Sequence, residues 1–305
     1  MIAPDWLWSP VTLWAAFAQT LRNAAQRSLT AELGTLGATL VRFLYGLPFA
    51  LLWLFGVQAV GGYALPSPNL AFLGWVSFGA VSQIVATALL LRVMQERNFT
   101  LGVAYSKTEI LQAAVFGLLV LGDPLTPAPL LAVGCGTLGV LLLSPADRER
   151  PFRTMLSGWT TLPAMLGLAS GAFFAFSAVG YRGAALALGD TPFMMSAAFA
   201  LVVAQSLQTA LLGGWLLVRD RPVVGRVFAA WRRSLFAGFM GAAASAGWFT
   251  AMAIEPIAHV RTLGLAELIF APLVSRKLFR EQLSKLEVAG MGMLVLGLVI
   301  VTLGR

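Results

Sequence analysis

Three stretches without a single charged residue, Thr154 to Tyr181, Thr191 to Val218 and Ser234 to Ile254, decide what this chain can become. Each reaches the roughly 20 residues that a helix needs to cross a hydrocarbon core. A soluble fold would have to keep such faces hydrated. Only 11% of the residues are charged while 58% are hydrophobic, against about 25% charged in an ordinary soluble domain. The stretches read as membrane spans. Lipid offers no partner for a backbone amide, and these runs lack the alternation of barrel strands, so the spans must be helices. The fold class is all-α, an integral membrane bundle of about ten transmembrane helices.

Breaking the chain at charges, prolines and glycines puts spans near residues 10–29, 34–55, 70–91, 99–121, 126–144, 158–182, 191–218, 233–254, 259–279 and 285–303. Asp5 precedes the first apolar stretch and the earliest cation is Arg22. A cleavable secretory signal has the opposite order, so the first span is expected to be retained. The sole cysteine, Cys135, excludes a disulfide within a monomer and reads as a buried thiol.

A net charge of +8 raises the question of nucleic acid, but the cations sit in short clusters between apolar segments. Fourteen of the 21 fall in alternate connections: Arg92 and Arg97; Arg148, Arg150 and Arg153; Arg219, Arg221, Arg226, Arg232 and Arg233; Arg276, Lys277, Arg280 and Lys285. The remaining connections are nearly bare. By the positive-inside bias, the odd-numbered loops face the cytoplasm and both termini lie on the other side. No nucleic-acid partner is expected, and the inner membrane of a bacterium is the expected location.

The chain also repeats. Glu109 lies 14 residues before Asp123, and Glu267 lies 14 before Glu281, an offset of 158 for both. Upstream, Arg27 and Gly34 match Arg182 and Gly189 at an offset of 155, which a three-residue insertion reconciles. Two five-helix halves follow, residues 1–152 and 153–305, together forming one transport domain. An odd number of spans per half turns the second half over in the membrane, the inverted-repeat plan of many secondary transporters, with the solute site between the halves.

At these residues the chain resembles the drug/metabolite transporter superfamily, specifically the EamA-type ten-helix carriers. In that family each half closes with a short Gly-Glu-x-Leu-Thr-like turn before a glycine-rich last helix. The signature reads LGDPLTP from Leu121 and FREQLSK from Phe279, with Asp123 for the usual Glu, and Arg280 and Ser284 for Gly and Thr. The resemblance spans essentially the whole chain and implies a carrier working by alternating access.

Gln19, Arg22, Asn23, Gln26, Arg27 and Thr30 recur at steps of three and four, which places them on one face of the first span. Charge at the bilayer centre costs on the order of 2.5 to 3.5 kcal/mol on insertion scales, so Arg22 calls for a partner or a solute. Arg27, nearer the helix end, is expected to reach the headgroups. Arg42 in the second span serves either an ion pair or the substrate. In the fourth span Tyr105, Glu109 and Gln112 share a face, whereas Lys107 points away and is expected to bridge to a neighbouring helix. His259 and Arg261 open the ninth span as snorkelling or gating groups. Ser170, Ser177 and Tyr181 form a stripe on the sixth span, and Trp248 offers a mixed surface on the eighth.

Glu109 and Glu267 occupy equivalent places in the repeat and are the candidate substrate or coupling carboxylates. Their alternative is structural, with Glu109 anchored to an arginine of the first span and Glu267 to Arg42. The sequence carries no P-loop, metal-ligand spacing or Ser/His arrangement, so neither an enzyme nor a cofactor is expected. The leading expectation is a secondary transporter exporting or exchanging a small polar metabolite such as an amino acid. The competing one is proton-coupled efflux of lipophilic cations, and a membrane protein without transport activity is the remote third. A small-molecule substrate and the lipid bilayer are the expected partners, with monomer and dimer both open.

Overall fold

The computed structural model describes residues 6–109, 112, 127–143, 160–254, 260 and 263–303. Their long helices are α1 (Trp8–Leu44), α2 (Leu47–Gly61), α3 (Leu70–Glu96), α4 (Phe99–Ser106), α5 (Pro127–Leu143), α6 (Leu162–Ala187), α7 (Phe193–Arg219), α8 (Arg221–Ala229), α9 (Trp231–Ile254), α10 (Glu267–Val274) and α11 (Lys285–Leu303). No strand occurs among the described residues. Among the described residues, four stretches, Trp8–Gly61, Leu70–Glu96, Leu162–Ala187 and Phe193–Arg219, are long and apolar enough to cross a membrane. The boundary expected at residue 152 lies outside the described residues.

Although α1 runs as one helix in name, it is a hairpin. Gly34 has φ 68 and ψ 175, and Gln26 Nε2 donates to the carbonyl of Ala38 at 2.9 Å. Twelve residues of straight helix would hold those two positions about 18 Å apart. The chain therefore reverses at Gly34, and the arms 8–33 and 35–44 lie against each other. The loop expected at residues 30–33 is reduced to this one residue. A Cβ at Gly34 would meet nothing within 4 Å, so the glycine is there for its backbone. Gly189, its match at offset 155, also has positive φ (61°) and joins α6 to α7. The second arm bends at Tyr45 and Gly46, then continues as α2 with Pro48 in its first turn, where a missing N–H costs nothing.

The most extensive helix contacts are α3 with α6, α1 with α9, and α5 with α11; α2 packs on α7 and α4 on α10. Small residues permit the closest approaches. A Cβ on Gly180 would fall 2.7 Å from Gly79 Cα, one on Gly139 would fall 2.8 Å from Leu294 N, and one on Gly247 would fall 2.9 Å from Ala15 Cβ. Where water does not drive helices together, such contacts supply dispersion energy that a larger side chain would forfeit.

Polarity is distributed the opposite way from a soluble domain. Arg22, Asn23, Gln26, Gln208 and Glu267 are buried, while Leu52, Phe55, Leu70, Trp215 and Ile269 face outward. That partition suits a hydrocarbon surrounding and is compatible with a membrane protein.

Two departures from expectation concern the ends of the bundle. The connection holding Arg219 to Arg233 contains a helix, α8, capped by Asp220, whose side chain accepts from Val223 N at 3.4 Å. Val223, Val224 and Val227 are its buried face; Val223 lies against Gly37 of the second arm. This three-residue stripe is too short to stand out against a basic loop. The spans expected at 99–121 and 259–279 are also interrupted. Helix α4 stops at Ser106, and α10 is preceded by a 3₁₀ turn (Gly264–Ala266) and followed by a wider turn (Ser275–Phe279).

Candidate functional site

The interruptions position the most polar part of the interior. Asn98 caps α4 by accepting from Leu101 N at 2.8 Å, and nine residues later Lys107 closes the helix with its N–H on the carbonyls of Ala104 and Tyr105. Glu267 begins α10. Lys107 Nζ forms an ion pair with Glu267 Oε2, so a cation just beyond the end of α4 meets an anion where the 3₁₀ turn passes into α10. The position of Lys107 is favoured by the backbone dipole of α4.

The first arm of α1 supplies the rest of the shell. Gln19 Nε2 donates to Glu267 Oε2 at 2.7 Å, and Asn23 Nδ2 donates to Oε1 at 3.2 Å. Trp248 Nε1 of α9 donates to Gln19 Oε1 at 3.0 Å, which fixes that amide's orientation. Lys107 Nζ also lies 6.0 Å from the centre of the Trp248 ring, at the edge of cation–π range. The indole packs in turn on Gly264, where a Cβ would be 2.5 Å from the ring. Glu267 is thus held by residues of α1 and α4, and the expected pairing of Glu267 with Arg42 does not occur. Lys107 takes that place because the end of α4 brings it directly opposite the start of α10.

Arg22 and Arg42 are both buried and converge on α9. Arg22 donates through Nε and Nη2 to Asn23 Oδ1, at 3.1 and 2.7 Å. Arg42 Nη1 donates to Thr87 Oγ1 at 3.0 Å. Gln83, one turn before Thr87 on α3, accepts from the Tyr181 hydroxyl at 3.0 Å and from Gln208 Nε2 at 2.8 Å. Tyr181 also accepts from Gln208 Nε2 at 3.0 Å. A polar strip therefore runs from Lys107 through Glu267, Asn23 and Arg22, and a second joins Arg42, Thr87, Gln83 and Tyr181.

The face expected to carry Tyr105, Glu109 and Gln112 is packed against α6 rather than open. A Cβ on Gly167 would be 2.5 Å from the Tyr105 ring, and one on Gly171 would meet Thr108 Oγ1 at 2.6 Å, Gln112 Nε2 at 3.0 Å and Glu109 N at 3.3 Å. Gln112 donates to Leu168 O and Thr108 Oγ1, both at 2.9 Å. Two glycines one turn apart on α6 allow this close seating. Glu109 is buried here, with an interaction of its own. Ser170 is likewise engaged, donating to Ala86 O at 2.9 Å.

Arg27 also departs from expectation. Its guanidinium pairs with Glu281 and lies 4.0 Å over the Phe279 ring, so it holds the protein and not the headgroups. Glu281 is fixed by Ser275 Oγ at 2.6 Å and by Phe99 N at 3.0 Å. Its neighbours explain how the FREQLSK turn works. Arg280 adopts a left-handed conformation, φ 56, in the place where the signature has Gly. Ser284 and Glu287 cap α11 reciprocally: Ser284 N donates to Glu287 Oε2 at 2.7 Å, and Glu287 N to Ser284 Oγ at 3.2 Å. The equivalent turn through Asp123, together with His259 and Arg261, lies outside the described residues.

Sequence reasoning missed the roles of Gln83, Thr87 and Gln208. The signal was present, since a Gln and a Thr four apart in an uncharged span, and a Gln in another, need partners in lipid. A separate cavity of about 570 Å³, lined among others by Trp8, Leu263, Leu268, Met291 and Val295, is apolar and contains none of the candidate site residues.

No protein-family model matches the sequence, and no curated protein matches it. A solved crystal structure of another protein is similar over 97% of this chain and 96% of its own, with a TM-score of 0.61 and 18% identity. Similarity at that identity concerns the fold alone.

Proposed function

We propose that this chain is a secondary transporter of the EamA type, built from about ten transmembrane helices in two inverted five-helix repeats. It moves a small polar metabolite, such as an amino acid, by alternating access. The observation that carries this reading is the buried Lys107–Glu267 ion pair, set where α4 ends and where a 3₁₀ turn passes into α10, beside the polar face of α1. Interrupted helices leave backbone dipoles and charged side chains at mid-depth, where a polar solute can exchange them for its own groups.

The repeat has two supports beyond sequence. Gly34 and Gly189 both have positive φ at equivalent positions. The helix contacts also map onto themselves when the halves are exchanged. With α1 and α2 counted as two spans and α8 set aside, the first pairs with the third of the other half in both directions. The second, fourth and fifth pair with their own counterparts.

Charged residues at one end of the bundle are joined across connections, with Glu32 engaging Arg233 and Arg226, and Arg27 engaging Glu281. We assign this end to the cytoplasm of a bacterial inner membrane. The competing reading, proton-coupled efflux of lipophilic cations, needs carboxylates that exchange protons with drug. Glu267 already has an ammonium and two amides on its oxygens, which favours the polar-metabolite reading.

Counterflow in proteoliposomes tests it. Vesicles loaded with unlabelled amino acids or small organic acids should accumulate the labelled solute, and Glu267→Gln should abolish the accumulation while the protein still reconstitutes. Accumulation of lipophilic cations against a proton gradient, with no counterflow of any polar metabolite, would overturn the proposal.

A further inference from the structure

Among the described residues, every other cation that is largely buried lies within 4.0 Å of a carboxylate: Lys107 pairs with Glu267, Arg27 with Glu281, and Arg97 lies 4.0 Å from Glu287. Arg22 and Arg42 are the exceptions. They are 2% and 4% exposed, deeper than those three, and neither forms an ion pair among the described residues. Their partners are the neutral oxygens of Asn23 and Thr87.

The two side chains also come together. A Cβ built on Gly241 of α9 would lie 3.3 Å from Arg22 Cδ and 3.5 Å from Arg42 Cγ, so both stems flank the same point. Glu267 reaches Arg22 only through Asn23 and is itself paired with Lys107. Two like charges whose stems converge in a region of low dielectric, with no carboxylate among the described residues paired to either, repel each other and lose hydration as well. A third group that is negative removes both costs. A guanidinium carries five N–H donors in a planar fork. Asn23 takes two from Arg22 and Thr87 takes one from Arg42, which leaves donors on both for a shared ligand.

From this we infer that Arg22 and Arg42 form one binding site for a dianionic head group, of the sulfate, phosphate-monoester or dicarboxylate kind. Two uncompensated positive charges call for two negative ones. Lys107 already neutralises Glu267, and Glu109 is engaged in its own contact. The site connects to the interrupted helices through Asn23, whose Oδ1 receives Arg22 while its Nδ2 holds Glu267. An anion that draws Arg22 toward itself loosens Asn23 and with it the grip on Glu267. Among small polar metabolites this favours dianions over amino acids with a single carboxylate, and it rests on the transport proposal only for its physiological meaning.

Binding is measured without transport, on the purified full chain in detergent, by calorimetry and thermal shift. The probes are sulfate, methyl phosphate and succinate, with acetate and chloride at equal ionic strength as comparisons. At least one dianion should raise Tm in a concentration-dependent way. Its affinity should exceed that of acetate by roughly tenfold or more, as expected when charge-assisted contacts double. Sulfate or methyl phosphate binding identifies a tetrahedral group and succinate binding a dicarboxylate, and either supports the site. Arg22→Gln and Arg42→Gln should each weaken it by about tenfold.

Should a variant not fold, the wild type supplies a second test for a phosphate ligand. Methyl phosphate binding should strengthen about tenfold per pH unit up to its second pKa near 6 and then level off, while sulfate binding stays flat. Equal affinity for acetate and all three dianions, or binding unchanged in both variants, would overturn the inference. Dianion binding without any flux in proteoliposomes would instead overturn the transport proposal and leave the site standing.

Discussion

Removing the charge of Glu267 isolates how much the interior depends on it. In Glu267→Gln the ammonium of Lys107 remains in place, with its side chain 10% exposed and its counter-ion gone. Breaking a buried pair from one side costs about 3 to 5 kcal/mol. A second loss comes from geometry, because the carboxylate accepts on both oxygens, from Asn23 at one and from Gln19 and Lys107 at the other. A glutamine has one acceptor, so its NH₂ must face a donor, which adds a cost of about 1 to 3 kcal/mol. The single variant should therefore lose at least about 4 kcal/mol.

Lys107→Met in the same background removes the stranded cation and retains only the misplaced donor. The double variant should recover about 2 kcal/mol or more of the loss. Unfolding of detergent-solubilised protein by sodium dodecyl sulfate, followed by tryptophan fluorescence, reads all four corners of the cycle. Effects of Lys107→Met and Glu267→Gln that add within about 0.5 kcal/mol would refute the claim that these two charges act as a pair.

Three further outcomes follow from other parts of the molecule. Gly34→Ala and Gly189→Ala should each cost about 1 to 2 kcal/mol in the same unfolding assay, because φ is positive at both while space for a Cβ is open; a neutral result at either would dismiss the turn argument. Gly180→Val should cost about 1 to 3 kcal/mol or more by forcing α6 away from Gly79 of α3, and a melting curve like the wild type's would contradict the close approach. Thr100 is fully buried behind Phe99 and Glu281; a cysteine introduced there should resist an aqueous maleimide and become reactive when Arg27→Gln frees Glu281, whereas identical labelling in both backgrounds would show that this pair closes nothing.

Some of the site could be read from the order of residues because helices repeat every 3.6 positions. The polar face of Gln19, Arg22 and Asn23 is real, and the bundle uses it: Gln19 and Asn23 reach Glu267, while Arg22 lies beside Asn23. Lys107 was also expected to bridge to another helix, as it does. Which carboxylate it meets was not readable, since Lys107 and Glu267 come from two interrupted helices whose ends must first be placed against each other. Arg27 illustrates a different failure. Position near a helix end normally sends an arginine to the headgroups, but Phe279 and Glu281 occupy the space beside it. Tyr105 and Gln112 share a face as periodicity demands, yet only the glycines of α6 decide that this face is packed.

The sequence by itself determined the helical class, the apolar exterior and the recurrence of glycine at positions 34 and 189, because solvent transfer, backbone satisfaction and conformational freedom act residue by residue. Tertiary structure decided the rest. A hydrogen bond from Gln26 to Ala38 turns one apparent helix into a hairpin. Lys107 neutralises Glu267 while Arg22 and Arg42 are left side by side without an acidic partner among the described residues. Charge pairing depends on distances between elements far apart along the chain, and those distances exist only once the helices have packed.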